Sequence, residues 1–172
     1  LYYLSLTKPD VAFPINKLFQ NMQNPTFFFH MQALKRILRY LKSIIDHGLH
    51  LTRSPNVSLI AFCAADWGGE SIDLKSIGAY LVYLGPNVIS WSCKKQSIVV
   101  HSSTEAEYRT IASITTKFLW LHQILHELSI SPFVPQIYSD NIGATYLCAN
   151  LMFHSHMKHL AIDYHFVRNL VS

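Results

Sequence analysis

Ten Asp and Glu residues are spread over 172 positions, few enough for the placement of each to be weighed. Three sit where chemistry would want an acid: Asp66, Glu107 and Asp140. Asp66 closes an apolar run just before Trp67-Gly68-Gly69. A carboxylate at the end of a central strand lies at the mouth of a sheet, where α/β folds bind their ligands. The alternative is an aspartate that bonds the backbone of its own turn. Glu107 follows Ser102-Ser103-Thr104-Glu105, which matches a capping box. Glu105 would reach back to the capping Ser102 and so has a structural role. Glu107 instead falls four residues before Ile111, on the stripe formed by Ile111, Ile114, Phe118, Leu121, Leu125 and Leu128. A carboxylate turned toward a core is costly unless it is paired, protonated or bound to a metal. Its alternative is a side chain that frays into solvent in the first helical turn. Asp140 ends a short strand and precedes Asn141, and both residue types are favoured helix caps. If Asn141 caps, Asp140 is free to reach across the sheet end.

Carboxylates gathered at one strand edge do not ionise together cheaply. A divalent cation resolves the repulsion, and all-oxygen ligands select Mg2+ or Mn2+. Two such ions about 3.5–4 Å apart activate a water and stabilise the leaving oxygen in phosphodiester hydrolysis. Asp66, Glu107 and Asp140 are therefore the candidate catalytic and metal-binding residues. A competing metal site is suggested by His154, His156, His159 and His165. Their spacing matches no zinc finger, no Cys pair accompanies them, and no HExxH pattern occurs. Cys63, Cys93 and Cys148 are odd in number and far apart, which argues against a disulfide framework and for a reducing compartment.

The elements that must position these acids can be read from periodicity. Positions 59–65 are apolar with little alternation, the pattern of a strand buried on both faces. Positions 78–84 and 88–93 are further strands around the turn Gly85-Pro86-Asn87, and the three together predict an antiparallel meander. A long helix is predicted over 102–128, a short strand over 136–139, a short helix over 143–148 and another helix over 159–171. Before them, positions 1–50 read as helical and are interrupted by Pro9, Pro14 and Pro25. The clearest helix there, 32–45, has an apolar stripe of Leu34, Ile37, Leu38, Leu41 and Ile45. Lys35, Arg36, Arg39 and Lys42 lie off that stripe as a cationic ridge, either simply solvated or set against a phosphate backbone. Phe27, Phe28 and Phe29 look exposed. The pattern changes around Pro55, which divides the chain into a helical, basic unit (1–55) and an α/β unit (56–172) with a mixed sheet and flanking helices.

Half of the residues are hydrophobic and 14% are charged, which excludes a disordered chain. The net charge of +4 leans mildly toward a polyanionic partner. No apolar run nears the ~20 residues that span a bilayer, and no signal peptide opens the sequence. An intracellular, unsecreted protein with no membrane partner is expected. The sequence starts at Leu1 within an apolar segment and stops at Ser172 within a helical pattern, which suggests a piece of something longer.

Several long motifs carry a resemblance. Ile89-Ser90-Trp91-Ser92-Cys93-Lys94-Lys95-Gln96 with Ser102-Ser103-Thr104-Glu105-Ala106-Glu107-Tyr108-Arg109, then Tyr138-Ser139-Asp140-Asn141, then Lys158-His159-Leu160-Ala161-Ile162-Asp163-Tyr164-His165-Phe166-Val167-Arg168, resemble the ribonuclease H domain of copia-type long-terminal-repeat retrotransposons. Leu6-Thr7-Lys8-Pro9-Asp10 and the 34–42 segment are similar to the end of the same polyprotein's reverse transcriptase. The resemblance covers essentially the whole chain. It implies a ribonuclease H-like mixed sheet, three antiparallel strands then a parallel one, and hydrolysis of the RNA strand of an RNA–DNA hybrid with two Mg2+ or Mn2+ ions. It implies contacts with the hybrid through Lys94 and Lys95 as well as the basic ridge, the rest of the polyprotein as a partner, and residence in a cytoplasmic virus-like particle or the nucleus.

By motif, Glu107 and Asp140 correspond to the family's helix acid and fourth-strand acid. The first-strand pattern departs from the family: Ala64-Ala65-Asp66-Trp67 stands where Asp-Ala-Asp-Trp is expected, so Ala64 replaces an expected aspartate. Asp66 substitutes for it only if the strand runs that far. The family's last strand and its acid-bearing helix are expected to be missing, and Asp163 is not counted as that acid. The expectation is a degenerate domain that keeps the fold and not the catalysis. The alternatives are an active hybrid ribonuclease and a non-catalytic nucleic-acid-binding or histidine-based metal-binding domain.

Overall fold

The computed structural model describes residues 2–21, 27–55, 57–69, 73–149 and 163–167. Helix α1 (Tyr2–Thr7), a 3-10 turn (Pro9–Val11), α2 (Ala12–Asn21) and α3 (Phe27–Ser43) come first. Pro9 and Pro14 fall at the starts of their elements, where a missing N–H costs nothing. Val11, Ile15, Leu18 and Ile37 form a small core, with Leu4, Leu34 and Leu41 packed on it. The apolar stripe of α3 is thus narrower than its periodicity suggested. Leu38 is 50% and Ile45 76% exposed: the small core forms against the 34/37/41 row, and Ile45 lies past the end of α3. Lys8 donates its ammonium to the carbonyls of Ile44 and His47, at 3.0 and 2.7 Å, a favourable place for a cation just past the end of a helix.

The sheet follows: β1 (Leu59–Asp66), β2 (Ile77–Leu84) and β3 (Asn87–Lys95), then α4 (Ser103–Glu127), β4 (Gln136–Ser139) and α5 (Ile142–Ala149). The spatial order is β3-β2-β1-β4, with β1, β2 and β3 antiparallel and β4 parallel to β1. The expected mixed sheet of three antiparallel strands and one parallel strand is what forms. Gly85, at φ 56°, supplies the left-handed residue that the tight β2–β3 connection requires.

Helix α4 covers one face of the sheet. Leu59, Ala61, Cys63 and Val82 meet Tyr108, Ile111, Ile114 and Phe118 in the main core. Leu128, predicted for the buried stripe, is exposed because the helix has already ended at its C-cap. The opposite face differs from expectation. Burial along β1 alternates strictly from Leu59 to Ala64, so the strand is not buried on both faces. Phe62 stacks on Tyr138 at 5.4 Å and meets Tyr83 edge-on at 5.9 Å, yet Phe62 and Tyr138 are each 50% exposed. Alanine and aromatic residues look apolar in a sequence whether or not anything covers them.

The helical unit docks along β3. Asn16 Nδ2 donates to the Cys93 carbonyl, and Trp91 Nε1 donates to the Ser5 carbonyl at 2.7 Å. These contacts cover what would otherwise be an open sheet edge. No described helix is long and apolar enough to cross a membrane.

Candidate active site

The mouth of the sheet is built by the ends of β1 and β4 and the start of α4. Ser102 caps α4, its Oγ accepting from the Glu105 N–H at 3.1 Å. Glu105 reaches back as predicted, but to the His101 N–H, at 3.0 Å, one residue before the cap. Arg109 then pairs with Glu105 one turn on, at 3.3 Å. This fixes the first turn and with it the direction of Glu107. Glu107 is 2% exposed, so the fraying alternative does not hold. Its Oε1 accepts from Ser139 Oγ at 2.8 Å and from the Cys63 thiol at 3.3 Å.

The end of β4 is organised by Asn141. Its Oδ1 accepts from the Ala144 N–H at 2.9 Å, making it the cap of α5. Its own N–H donates to Ser139 Oγ at 3.2 Å. A chain therefore runs from the Asn141 backbone through the Ser139 hydroxyl to Glu107. Asp140 is released from capping and exposed. It sits one residue beyond Ser139, and its negative charge is felt at Cys63. Burial pushes the Cys63 thiol up to about 12, with further contributions from the charge and hydrogen bond of Glu107 and from the charge of Asp140. Cys63 is thus a neutral donor at ordinary pH.

Asp66 stands apart. The strand does continue to it, paired with Ile77, so Ala64 and Asp66 share a face. That face is the one of Phe62, turned away from α4, whereas Cys63 faces Glu107. The Asp66 carboxylate folds over Gly69, where an added Cβ would stand 2.0 Å from Oδ2. A side chain at 69 would displace that exposed carboxylate. The structure therefore brings Glu107 and the Ser139–Asp140 step together and leaves Asp66 in its own turn. Among the described residues no three His, Cys, Asp or Glu side chains gather closely enough to hold a metal ion. A protonated thiol is a poor ligand for a hard cation that selects oxygen. The residues present do not fit a two-ion Mg2+ site.

Lys35, Arg36, Arg39 and Lys42 are all exposed along α3, as the ridge requires. Lys94 is exposed, and Lys95 is tied to Asp73 at 2.8 Å. Of the terminal histidines, His154, His156 and His159 lie outside the described residues. His165 is exposed on the helical segment 163–167. Sequence reasoning missed Cys63 and Ser139. Strand parity could have signalled Cys63, since it shares a face with the core residues Leu59 and Ala61.

Two relatives from Arabidopsis thaliana are named Retrovirus-related Pol polyprotein from transposon RE1 and from transposon RE2. The chain is 53% and 52% identical to them over 99% of its length. A third, Retrovirus-related Pol polyprotein from transposon TNT 1-94 of Nicotiana tabacum, is 32% identical over 99% of the chain. This chain belongs to the Pol polyproteins of copia-type retrotransposons. It spans 12% of the length of the first two Pol relatives and 13% of the third, so it corresponds to a small section of such a polyprotein. No protein-family model matches it.

Proposed function

We propose that this section of Pol is a ribonuclease H-like domain preceded by the end of a reverse transcriptase, and that it engages nucleic acid without cleaving it. The observation that carries the reading is the meeting of Glu107, on the first long helix, with the Ser139–Asp140 step that ends the parallel strand beside β1. An acid on that helix and an acid at that strand end are what hybrid hydrolysis by divalent metal would use. The loss of catalysis is inferred from β1. Cys63 is the residue that faces Glu107, Ala64 stands where the family pattern has aspartate, and Asp66 faces away. Losing an ion-binding carboxylate removes several kcal/mol of transition-state stabilisation, so rates fall by orders of magnitude. The exposed cations of α3 and Lys94 supply affinity for a phosphate backbone.

The test is incubation of the chain with a labelled RNA–DNA hybrid in Mg2+ or Mn2+, alongside a salt titration of hybrid binding. The reading expects no cleavage above background and a binding constant that falls steeply with salt. Cleavage that disappears in Glu107→Ala would overturn the inactive assignment. Absence of any hybrid binding would remove the nucleic-acid partner.

A further inference from the structure

Glu107 looks toward β1 and β4 from one flank of α4. The other flank, with the end of β3 and the helical segment 163–167, encloses a separate cavity of about 490 Å3, within the range of small-molecule sites. Its floor is opened by Gly78, where an added Cβ would stand 2.5 Å from Thr110 Oγ1. Three cations line it. Arg109 is held by Glu105 and Asp163 at 3.3 Å each, and Lys95 is held by Asp73 at 2.8 Å. Lys94 has no acidic partner among the described residues and stands exposed at the rim. Arg109 and Lys95 are thus compensated by carboxylates, and Asp163 itself stands in the lining, so the place for an anion is at Lys94.

The rest of the lining says what kind of anion. Tyr80 and Phe166 supply ring surface, and Ser92, Ser113 and Thr116 supply hydroxyls. Gln96 also lines the cavity. Its Nε2 donates to the Ala106 carbonyl at 2.8 Å, while its Oε1 is buried with no donor. A buried acceptor left unpaired costs free energy and calls for an N–H or O–H from elsewhere. A phosphate-seeking cation, ring faces and an unmet acceptor together match one ligand chemistry.

We propose that this cavity binds a nucleoside phosphate, with the phosphate at Lys94, the base against Tyr80 and Phe166, and a ligand N–H or O–H reaching Gln96 Oε1. The ligand is either a free mononucleotide or the phosphorylated 5′ end of a strand. No metal and no cleavage are required, so the inference stands apart from the assignment of Glu107.

Calorimetric titration of the 172-residue protein tests it with adenosine 5′-monophosphate, adenosine, and a short DNA strand with and without a 5′ phosphate. One saturable site for a phosphorylated probe is expected, with the unphosphorylated counterpart at least tenfold weaker. Lys94→Ala, at an exposed position, should weaken binding tenfold or more. Ser113→Tyr should abolish it by closing the mouth while leaving every charge in place. Both variants should keep the parent's circular dichroism and Tm. Preference for the 5′-phosphorylated strand over the mononucleotide identifies a strand end as the source, and the reverse preference identifies a free nucleotide. The proposal is overturned if neither phosphorylated probe outbinds its unphosphorylated counterpart, or if Lys94→Ala binds like the parent. Hybrid binding that survives such a failure would leave the proposed function untouched.

Discussion

The two faces of the sheet use similar residues to different ends. The face under α4 is close-packed, with Leu59, Ala61, Val82 and Ile114 fully buried, and it carries its polar cluster at one end. On the other face Phe62 makes ring contacts with both Tyr83 and Tyr138, and Phe62 and Tyr138 are half exposed. The difference teaches that apolar character decides where a strand sits, while coverage decides what each face contributes to stability. It also sorts the acids. Glu107 enters from the covered side and is fixed by two donors. Asp66 ends β1 on the uncovered side, exposed and folded over Gly69.

The contrast can be broken most forcefully in the core. Ile114→Ala should cost about 2–5 kcal/mol in urea unfolding, the range for a fully buried aliphatic truncated to alanine. Phe62→Ala removes a larger side chain yet should cost only about 1 kcal/mol, since half of its surface already meets water. Equal losses would show that the outer face is covered. Between these lies Glu107→Ala. It removes the acceptor shared by the Ser139 hydroxyl and the Cys63 thiol and should cost about 1–3 kcal/mol, against a change within about 0.5 kcal/mol for Asp66→Ala on the exposed side.

A pH series sharpens the same comparison. Cys63 has its thiol pushed from an ordinary 9.0 up to about 12 in the folded chain. Folding therefore favours its protonated form. The stability from this group is complete below pH 9 and is lost as pH rises from 9 toward 12. Cys148, raised by burial to about 11, adds a similar loss over a narrower window. Cys63→Ala should therefore show a shallower alkaline decline in unfolding free energy than the parent, and an unchanged slope would contradict the buried contact with Glu107. A further small effect is expected at the far end of α4. Ser129 adopts φ 59°, and the Ile130 N–H closes onto the Leu125 carbonyl at 2.9 Å. Ser129→Gly should raise stability by about 0.5–1 kcal/mol by relieving a left-handed residue.

Much of this was legible in the sequence because it rests on periodicity and local chemistry. The antiparallel meander and the cap at Ser102 follow from spacing, and the stripe through Ile111 favoured an inward Glu107. The choice between Asp140 and Asn141 as the cap of α5 stayed open in the sequence and is made by the Ala144 N–H on Asn141 Oδ1. What was not legible depends on coverage and on strand parity near a sheet end. The run 59–65 reads as doubly buried because Phe62 and Ala64 are apolar, and only the arrangement of neighbours shows that their side is open. Leu38 and Ile45 fit the predicted stripe, but the small core forms on the 34/37/41 row and the helix ends at Ser43. The pairing of Cys63 and Ser139 with Glu107 joins residues 44 and 32 positions apart, a distance no local pattern spans.

The meeting of Glu107 with the end of β4 is the claim on which the rest depends. A double-mutant cycle between Glu107→Ala and Ser139→Ala, read by urea unfolding, measures that contact itself. The account predicts a coupling of about 1 kcal/mol, as for a buried hydrogen bond. Additivity of the two substitutions within about 0.3 kcal/mol would mean that helix and strand do not meet there.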